Sequence, residues 1–226
     1  MENSGDPLKM WPPEVMKKFS DEINQKMQQY SLTQNPRMPA PASAPASAAT
    51  KFAENFPPEY TDKNTVHSYL PVYEQILRPL ITSQAPFRML EVGVQRGGSI
   101  LGWCKSFPNA TVIGVDCMKQ ANINLPNYKE IITNAYTDEF LEMIPAGSLD
   151  FLVEDGSHAY NDLLFVCKNY TKLLKKGGIL VIEDIPDMTW VPKLQKAFPS
   201  DTQVQVLDLR PKKNRWDDVL IIVKKV

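Results

Sequence analysis

Cysteine is scarce in this sequence: three of its 226 residues are cysteines. Cys104, Cys117 and Cys167 are odd in number, lie in apolar surroundings and show no CxxC spacing. This pattern argues against a disulfide framework and against a zinc site. We therefore predict three reduced thiols that pack in the interior.

The sequence also lacks an excess of charge and any long apolar run. With 25 basic and 26 acidic side chains, the net charge is -1, so nothing indicates a nucleic-acid partner or an acidic membrane. The longest aliphatic runs, at 179–182 and 219–223, are far shorter than the ~18 residues that a membrane span requires. The polar N-terminus has neither a signal-peptide nor a transit-peptide pattern. We expect a cytoplasmic protein with no nucleic-acid or membrane partner.

Composition divides the chain into three segments. Residues 35–51 are almost entirely Pro, Ala and Ser, which is typical of an extended linker. Within residues 1–34, apolar side chains recur at every fourth position from Val15 to Tyr30, which predicts an amphipathic helix. Two interpretations stay open: the helix docks on its own domain, or it belonged to a larger multidomain protein. Residues 52–226 are predicted to form one domain.

From residue 52 onward, apolar runs of strand length alternate with segments of helical periodicity, a pattern typical of a parallel α/β sheet. The predicted strands are 87–92, 111–115, 130–132, 149–153, 178–183, 203–207 and 218–224. The predicted helices are 65–80, 99–107, 138–144, 159–174 and 190–197. Gly177 is expected to end the fourth of these helices in a left-handed conformation.

The first predicted strand ends in a glycine-rich turn, MLEVGVQRGGS, before a helix at Ser99. Ligands of α/β sheets bind at such turns, where glycine lets them approach the backbone and helix N–H groups favour anions. Asp116 ends the next strand near the ~20-residue offset at which an acid binds an adenosine ribose. The spacing GxxxGG is not the dinucleotide fingerprint GxGxxG. A nucleotide-like ligand is favoured, and a ligand-free turn capped by Asp116 remains the alternative.

Two further strands end in paired acids, Glu154 with Asp155 and Glu183 with Asp184. If these strands neighbour the first, their carboxylates repel one another unless they are protonated or bridged by a cation. Oxygen donors without a thiolate suit Mg²⁺ or another hard ion such as Mn²⁺. The structural alternative is that Asp155 caps the following helix and Glu183 pairs with a lysine.

His158 follows Asp155 by three residues. A neutral imidazole can accept a hydroxyl proton at physiological pH, which makes His158 a candidate general base. The competing interpretation pairs His158 with Asp162, one turn later on the predicted helix.

The stretches LEVGVQRGGS, IGVD, LDFLVEDGSHAYNDL and LLKKGGILVIEDI resemble the class I S-adenosylmethionine-dependent methyltransferases. The sequence is most similar to the macrolide-sugar O-methyltransferase branch, from about residue 60 to residue 225. The resemblance implies a Rossmann-like α/β fold, with a seven-stranded, mostly parallel sheet, helices on both faces and an antiparallel last strand. It also implies methyl transfer from S-adenosylmethionine to a hydroxyl of a sugar or glycosylated small molecule.

The same resemblance implies roles for individual residues. His158 and Asp155 would be catalytic, and Asp155, Glu183 and Asp184 would ligate Mg²⁺. The segment around TDK resembles a lid that includes Tyr60, His67 and Tyr69, and Asn134 stands where an acid is frequent. The residues expected at the cofactor are Asp62, Lys63, Glu91, Gly93, Gly97, Ser99, Asp116, Asn134 and Glu154.

Two other functions remain open: a nicotinamide-dependent oxidoreductase on a similar sheet, and a non-catalytic cofactor-binding module of a larger glycan-modifying protein. The expected partner is a small-molecule or glycan acceptor, and the sequence leaves homo-oligomerisation undecided.

Overall fold

The computed structural model describes residues 52–226. The helix predicted within residues 1–34 and the linker predicted at 35–51 lie outside the described residues. No helix between residues 52 and 226 has both the length and the apolar composition that crossing a membrane requires.

A seven-stranded sheet forms the centre of the described chain, in the order β3-β2-β1-β4-β5-β7-β6. Strands β1 to β5 run parallel to one another, and β7 is antiparallel to both β5 and β6. The strands are β1 Arg88–Val92, β2 Thr111–Asp116, β3 Tyr128–Ile132, β4 Leu149–Glu154, β5 Leu174–Ile182, β6 Thr202–Asp208 and β7 Val219–Lys225. The predicted mostly parallel sheet with an antiparallel last strand is confirmed.

The strands follow from the burial of their side chains. In β1, β2 and β4 nearly every residue is buried, as in parallel strands covered on both faces. In β6, at the edge of the sheet, exposed residues alternate with partly buried ones over most of the strand. The order places the carboxyl ends of β1, β2, β4 and β5 side by side, so their terminal acids share one edge.

Helices cover both faces of the sheet, as predicted. On one face, Tyr73 and Trp103 pack in a core with Phe151 of β4. On the other face, Leu163 and Val166 pack against the opposite side chains of the same strands. The helices are α1 Leu70–Ile76, α2 Arg78–Ser83, α3 Gly98–Ser106, α4 Asp138–Met143, α5 Tyr160–Asn169, α6 Val191–Ala197 and α7 Arg210–Lys213.

The single helix predicted at 65–80 is wrong, because the segment forms two short helices, α1 and α2. Each has a proline in its first turn, Pro71 in α1 and Pro79 in α2. Proline lacks an N–H donor and is tolerated at the start of a helix but not in its interior. The second proline therefore requires a new helix.

The predicted role of Gly177 is also wrong. Helix α5 ends at Asn169, a 3₁₀ turn follows at Tyr170–Lys172, and Gly177 lies inside β5 with φ of +82°. There the pairing of β5 with β4 shifts register, so that the chain bulges out. Among the thiols, Cys104 and Cys167 are buried as predicted, whereas Cys117 is exposed just beyond β2.

Candidate active site

A cavity of about 330 Å³ opens at the carboxyl ends of the parallel strands. Its lining comes from the turns that follow β1, β2, β3, β4 and β5, and from a segment that precedes α1. The predicted site residues that line it are Asp62, Gly93, Ser99, Asp116, Asn134, Asp155, His158 and Asp184. The sequence thus identified residues from six separate segments that the fold brings to one cavity.

Gly93 and Gly97 shape the turn after β1. Both have positive φ, +91° and +76°, a conformation that glycine adopts without strain. A side chain on Gly93 would collide with the carbonyl oxygen of Asp155, and one on Gly97 would collide with Ile123. Gly93 lines the cavity, whereas Gly97 packs behind it against that side chain.

Asp116 fastens the same turn to β2. Its Oδ2 accepts hydrogen bonds from the backbone N–H groups of Val94 and Gln95, each at 3.0 Å, and its Oδ1 accepts one from Met118 N–H at 3.0 Å. A carboxylate has about four acceptor positions, so one remains for a ligand. Turn capping and ligand binding are therefore compatible at Asp116.

Glu154, at the end of β4, is fully buried beneath the cavity. Its Oε1 accepts hydrogen bonds from Tyr136 Oη at 2.7 Å and from Gly156 N–H at 3.3 Å. Within residues 52–226, Oε2 has no hydrogen-bond partner. Burial raises the pKa of Glu154 to about 8. Glu154 therefore contacts the cavity lining through Tyr136 and Gly156.

Lys63 carries a buried positive charge between three strand ends. Its Nζ lies 2.6 Å from Asp155 Oδ2, 2.7 Å from Glu183 Oε2 and 3.3 Å from Glu91 Oε1. Burial lowers the pKa of Lys63, but these three carboxylates outweigh that effect and raise it well above its ordinary value. Lys63 does not line the cavity, so its observed contacts are with protein carboxylates. The structural alternative for Glu183, pairing with a lysine, is what the structure contains.

Glu91 is buried beneath the cavity, where two hydrogen bonds hold its carboxylate. Its Oε2 accepts hydrogen bonds from Ser99 Oγ at 2.9 Å and from Trp103 Nε1 at 3.0 Å. Burial raises the pKa of Glu91 to about 7. Glu91 thus joins β1 to α3, and of this group Ser99 reaches the cavity surface.

His158 lies between the ends of β4 and β5. Its Nε2 is 3.7 Å from Asp155 Oδ1 and 3.9 Å from Asp184 Oδ2. Asp162, the competing partner, instead accepts a hydrogen bond from Ser157 Oγ at 2.5 Å. Burial and the neighbouring Asp155 raise the pKa of Asp184 to about 8. The imidazole therefore faces the two acids that the sequence placed beside it.

Three residues of the cavity lining have an unfavourable backbone conformation. Gln95, His158 and Asp184 have φ between +45° and +52°, although none is a glycine. Such a conformation costs on the order of 1–3 kcal/mol per residue and concentrates at functional sites. The surrounding fold therefore holds His158 and Asp184 in place against a local preference.

The predicted metal ligands come together only in part. Ligand atoms of Asp155, His158 and Asp184 all lie within 4.8 Å of one another. Glu183 is absent from this group, because its Oε2 faces Lys63 and its Oε1 accepts a hydrogen bond from Tyr73. The set Asp155, Glu183 and Asp184 therefore stays a prediction.

Sequence reasoning missed two parts of this site. Tyr136 was not singled out, although it joins Glu154 to the backbone N–H of Ser157 at 2.8 Å. Lys63 was assigned to the cofactor, although it neutralises the acid cluster. No local sequence pattern indicated either contact.

A family model described as a methyltransferase domain matches residues 90–185, from β1 to the residues just after β5. Residues 90–185 are therefore similar to a methyltransferase domain. The resemblance stated from the sequence is thereby confirmed, including its branch, because curated relatives named as sugar O-methyltransferases match as well.

Two of these relatives match more than half of this chain. The 8-demethyl-8-alpha-L-rhamnosyl tetracenomycin-C 2'-O-methyltransferase of Streptomyces olivaceus is 28% identical over 160 residues, 65% of this chain and 40% of that protein. The mycinamicin VI 2''-O-methyltransferase of Micromonospora griseorubida is 28% identical over 134 residues, 55% of this chain and 33% of that protein. The chain therefore spans 40% or less of the length of either relative.

Solved structures agree on the fold. The MycE methyltransferase of the mycinamycin biosynthetic pathway, solved with Mg and SAH, has a TM-score of 0.61 and 19% identity. The match covers 81% of this chain and 55% of that one. A second MycE structure, which also contains mycinamycin VI, has a TM-score of 0.58 and 17% identity. At this identity the likeness establishes the class I fold and no further detail of the site.

Proposed function

We propose that this chain is an S-adenosylmethionine-dependent O-methyltransferase that acts on a hydroxyl group of a sugar or a glycosylated small molecule. The observation that carries the proposal is one cavity that joins the glycine turn and Asp116 to His158, Asp155 and Asp184. The relatives named as sugar O-methyltransferases support the choice of acceptor.

The glycine-turn side of the cavity fits the cofactor. Gly93 leaves the wall open beside the backbone, Asp116 keeps an acceptor position for a ribose hydroxyl, and Asn134 faces the same space. The volume of about 330 Å³ lies within the range of about 300–1,000 Å³ that is usual for small-molecule sites. When bound there, S-adenosylmethionine supplies an electrophilic methyl group on sulfur.

The other side of the cavity fits a divalent ion. Asp155 Oδ1 and Asp184 Oδ2 converge near His158, and the nearest ammonium, that of Lys63, binds the opposite oxygen of Asp155. We assign Asp155 and Asp184 to Mg²⁺, and Glu183 joins them where Lys63 is displaced. When bound, Mg²⁺ lowers the pKa of an acceptor hydroxyl.

His158 is assigned the role of general base. Its Nε2 accepts the proton of the acceptor hydroxyl, and the carboxylate of Asp155, 3.7 Å away, stabilises the resulting imidazolium. The positive φ of His158 fixes the ring at the mouth of the cavity. Positioning also lowers the activation barrier, since holding the reactants in a productive orientation lowers it by on the order of 7 kcal/mol or more.

The test combines binding and turnover. Calorimetry with S-adenosylhomocysteine and, separately, with NAD distinguishes a methyltransferase from a nicotinamide enzyme, and we expect binding only of the first. With a panel of glycosides as acceptors, His158→Ala should lower turnover by about 10² to 10⁴-fold, while binding of S-adenosylhomocysteine stays within about twofold.

Asp162→Asn is the matched control, because Asp162 contacts Ser157 and not the imidazole. Its turnover should stay near that of the wild type. Unchanged turnover in His158→Ala removes the base from the mechanism, and full activity in EDTA leaves the acids without a metal role. Binding of NAD alone contradicts the methyltransferase assignment.

A further inference from the structure

His67 is a buried histidine that the proposed reaction does not use. Its side chain is 1% exposed, and neither ring nitrogen has a hydrogen-bond partner among the residues that the structure describes. The ring stacks on Tyr69, with centroids 4.7 Å apart. The backbone carbonyl of His67 accepts a hydrogen bond from Lys213 Nζ at 2.6 Å. The imidazole is thus fixed in orientation but unsatisfied.

The unsatisfied Nδ1 of His67 faces carboxylates of two different strand ends. It lies 3.3 Å from Asp184 Oδ1, after β5, and 3.6 Å from Asp218 Oδ1, before β7. Ligand atoms of His67, Asp184 and Asp217 all lie within 4.8 Å of one another. Asp218 is fully buried, and its Oδ2 has no hydrogen-bond partner within residues 52–226.

Positive charge near this group falls short of the negative charge. Arg215 pairs with both oxygens of Asp217, at 2.5 and 3.0 Å, and Ser68 N–H donates to Asp218 Oδ1 at 3.1 Å. Tyr69 Oη donates to Asp184 Oδ1 at 2.5 Å. The guanidinium of Arg215 thus contacts one of the three acids Asp184, Asp217 and Asp218, of which Asp184 lines the cavity. A divalent cation removes the remaining repulsion.

We infer that His67, Asp184 and Asp217 form a second divalent-cation site, with Asp218 beside it, that is distinct from the site at Asp155. Asp184 belongs to both sites, because its Oδ1 faces His67 and its Oδ2 faces His158. A carboxylate that bridges two ions is the usual arrangement where two metals act together. One imidazole with carboxylate oxygens suits Zn²⁺ better than Mg²⁺.

The surroundings of His67 match those of a metal-binding histidine. Such a residue usually donates its second ring N–H to a carboxylate. Nε2 of His67 faces Asp62 Oδ2 at 3.7 Å, on the side opposite Asp184. Bound at Nδ1, the ion fixes Asp184 and thereby the acid that faces His158.

The test uses the fact that the chain has two histidines. Untagged protein labelled with ¹⁵N-histidine gives imidazole signals from His67 and His158, and His158→Gln leaves those of His67. Titration with Zn²⁺ should shift the ring nitrogens of His67 in both proteins. In equilibrium dialysis, the wild type should hold about one more Zn²⁺ per chain than His67→Gln.

Matched variants separate the two sites. Asp217→Asn should weaken the response of His67 to Zn²⁺ by about tenfold or more, whereas Asp155→Asn should leave that response intact. Ring nitrogens of His67 that stay unmoved at saturating Zn²⁺ overturn the inference, and so does an equal Zn²⁺ count in His67→Gln. Both measurements precede any turnover, so a failed methyl-transfer assay leaves their result unaffected.

Discussion

The two sides of the cavity satisfy their acids in different ways. On the β1–β2 side, Asp116 receives three backbone N–H hydrogen bonds, so its charge is balanced by the fold itself. On the β4–β5 side, Asp155 and Glu183, one from each strand end, both contact the buried ammonium of Lys63. Asp184 there remains close to Asp155 and to two histidines.

This difference indicates how the two sides serve a ligand. The β1–β2 side is complete without further charge, so it presents a fixed surface to a neutral or weakly charged part of the cofactor. The β4–β5 side has more negative charge than its own cations balance, and an added cation or a proton completes it. The predictions below test this contrast between the two sides.

The largest expected effect comes from removing the ammonium. Lys63→Met leaves Glu91, Asp155 and Glu183 buried without a counter-ion, and loss of one partner of a buried ion pair costs about 3–5 kcal/mol. Urea unfolding should register this loss. Lys63→Arg keeps the positive charge and should lose clearly less stability than Lys63→Met. Equal stability of Lys63→Met and the wild type means that the acids are balanced by something else.

Neutralising one acid on each side should change stability in opposite directions. Asp116→Asn places an amide N–H₂ against Met118 N–H or against the two other donors, so we expect a loss of about 1–3 kcal/mol. Asp184→Asn removes a charge that burial and Asp155 disfavour, and asparagine tolerates a positive φ. Its free energy of unfolding at pH 9 should rise by about 1 kcal/mol. Losses of similar size in both variants contradict the contrast.

The last expected effect is a change in how stability varies with pH, rather than in stability at one pH. In the folded state Glu154 keeps its proton up to a pKa of about 8, whereas in the unfolded chain it loses that proton near 4.5. The folded state therefore holds the extra proton between these values, and stability falls as pH rises through that window. Glu154→Gln should flatten this fall by at most about 1.4 kcal/mol per pH unit.

Urea unfolding at several pH values between 5 and 8 measures this slope. Glu139→Gln, at an exposed acid of α4, is the control and should keep the slope of the wild type. If the slope of stability against pH is unchanged in Glu154→Gln, the extra proton of the folded state is bound by another group.

The sheet was predictable because its strands are buried runs of apolar residues bounded by acids and glycines. Each strand was located within a few residues, with β5 the least accurate because the chain bulges at Gly177. The helix prediction was less accurate at 65–80, where tyrosine and leucine continue the helical periodicity across two prolines. The helix is interrupted there despite the periodicity, because proline lacks the N–H donor that a helix interior requires.

The part of the site that lies at the ends of the strands was predictable from the sequence. Asp116, Asp155 and Asp184 follow directly from the parallel order of the strands, and His158 follows from Asp155. The partners of these acids were not predictable, because Lys63, Tyr136 and His67 reach them from segments far away in the sequence. Such pairings depend on tertiary packing and have no local pattern.

One consequence follows from the position of Lys63 in the chain. Tyr60, Thr61 and Asp62 form a wall of the cavity, and the next residue is the buried ammonium. The backbone of Tyr60 also rests so closely on Gly98 that a side chain there would not fit. We therefore expect a displacement of this wall to change the contacts of Lys63 with Glu183 and Asp155. Admission of each small molecule and the affinity of the acids for a cation are thereby coupled through four consecutive residues.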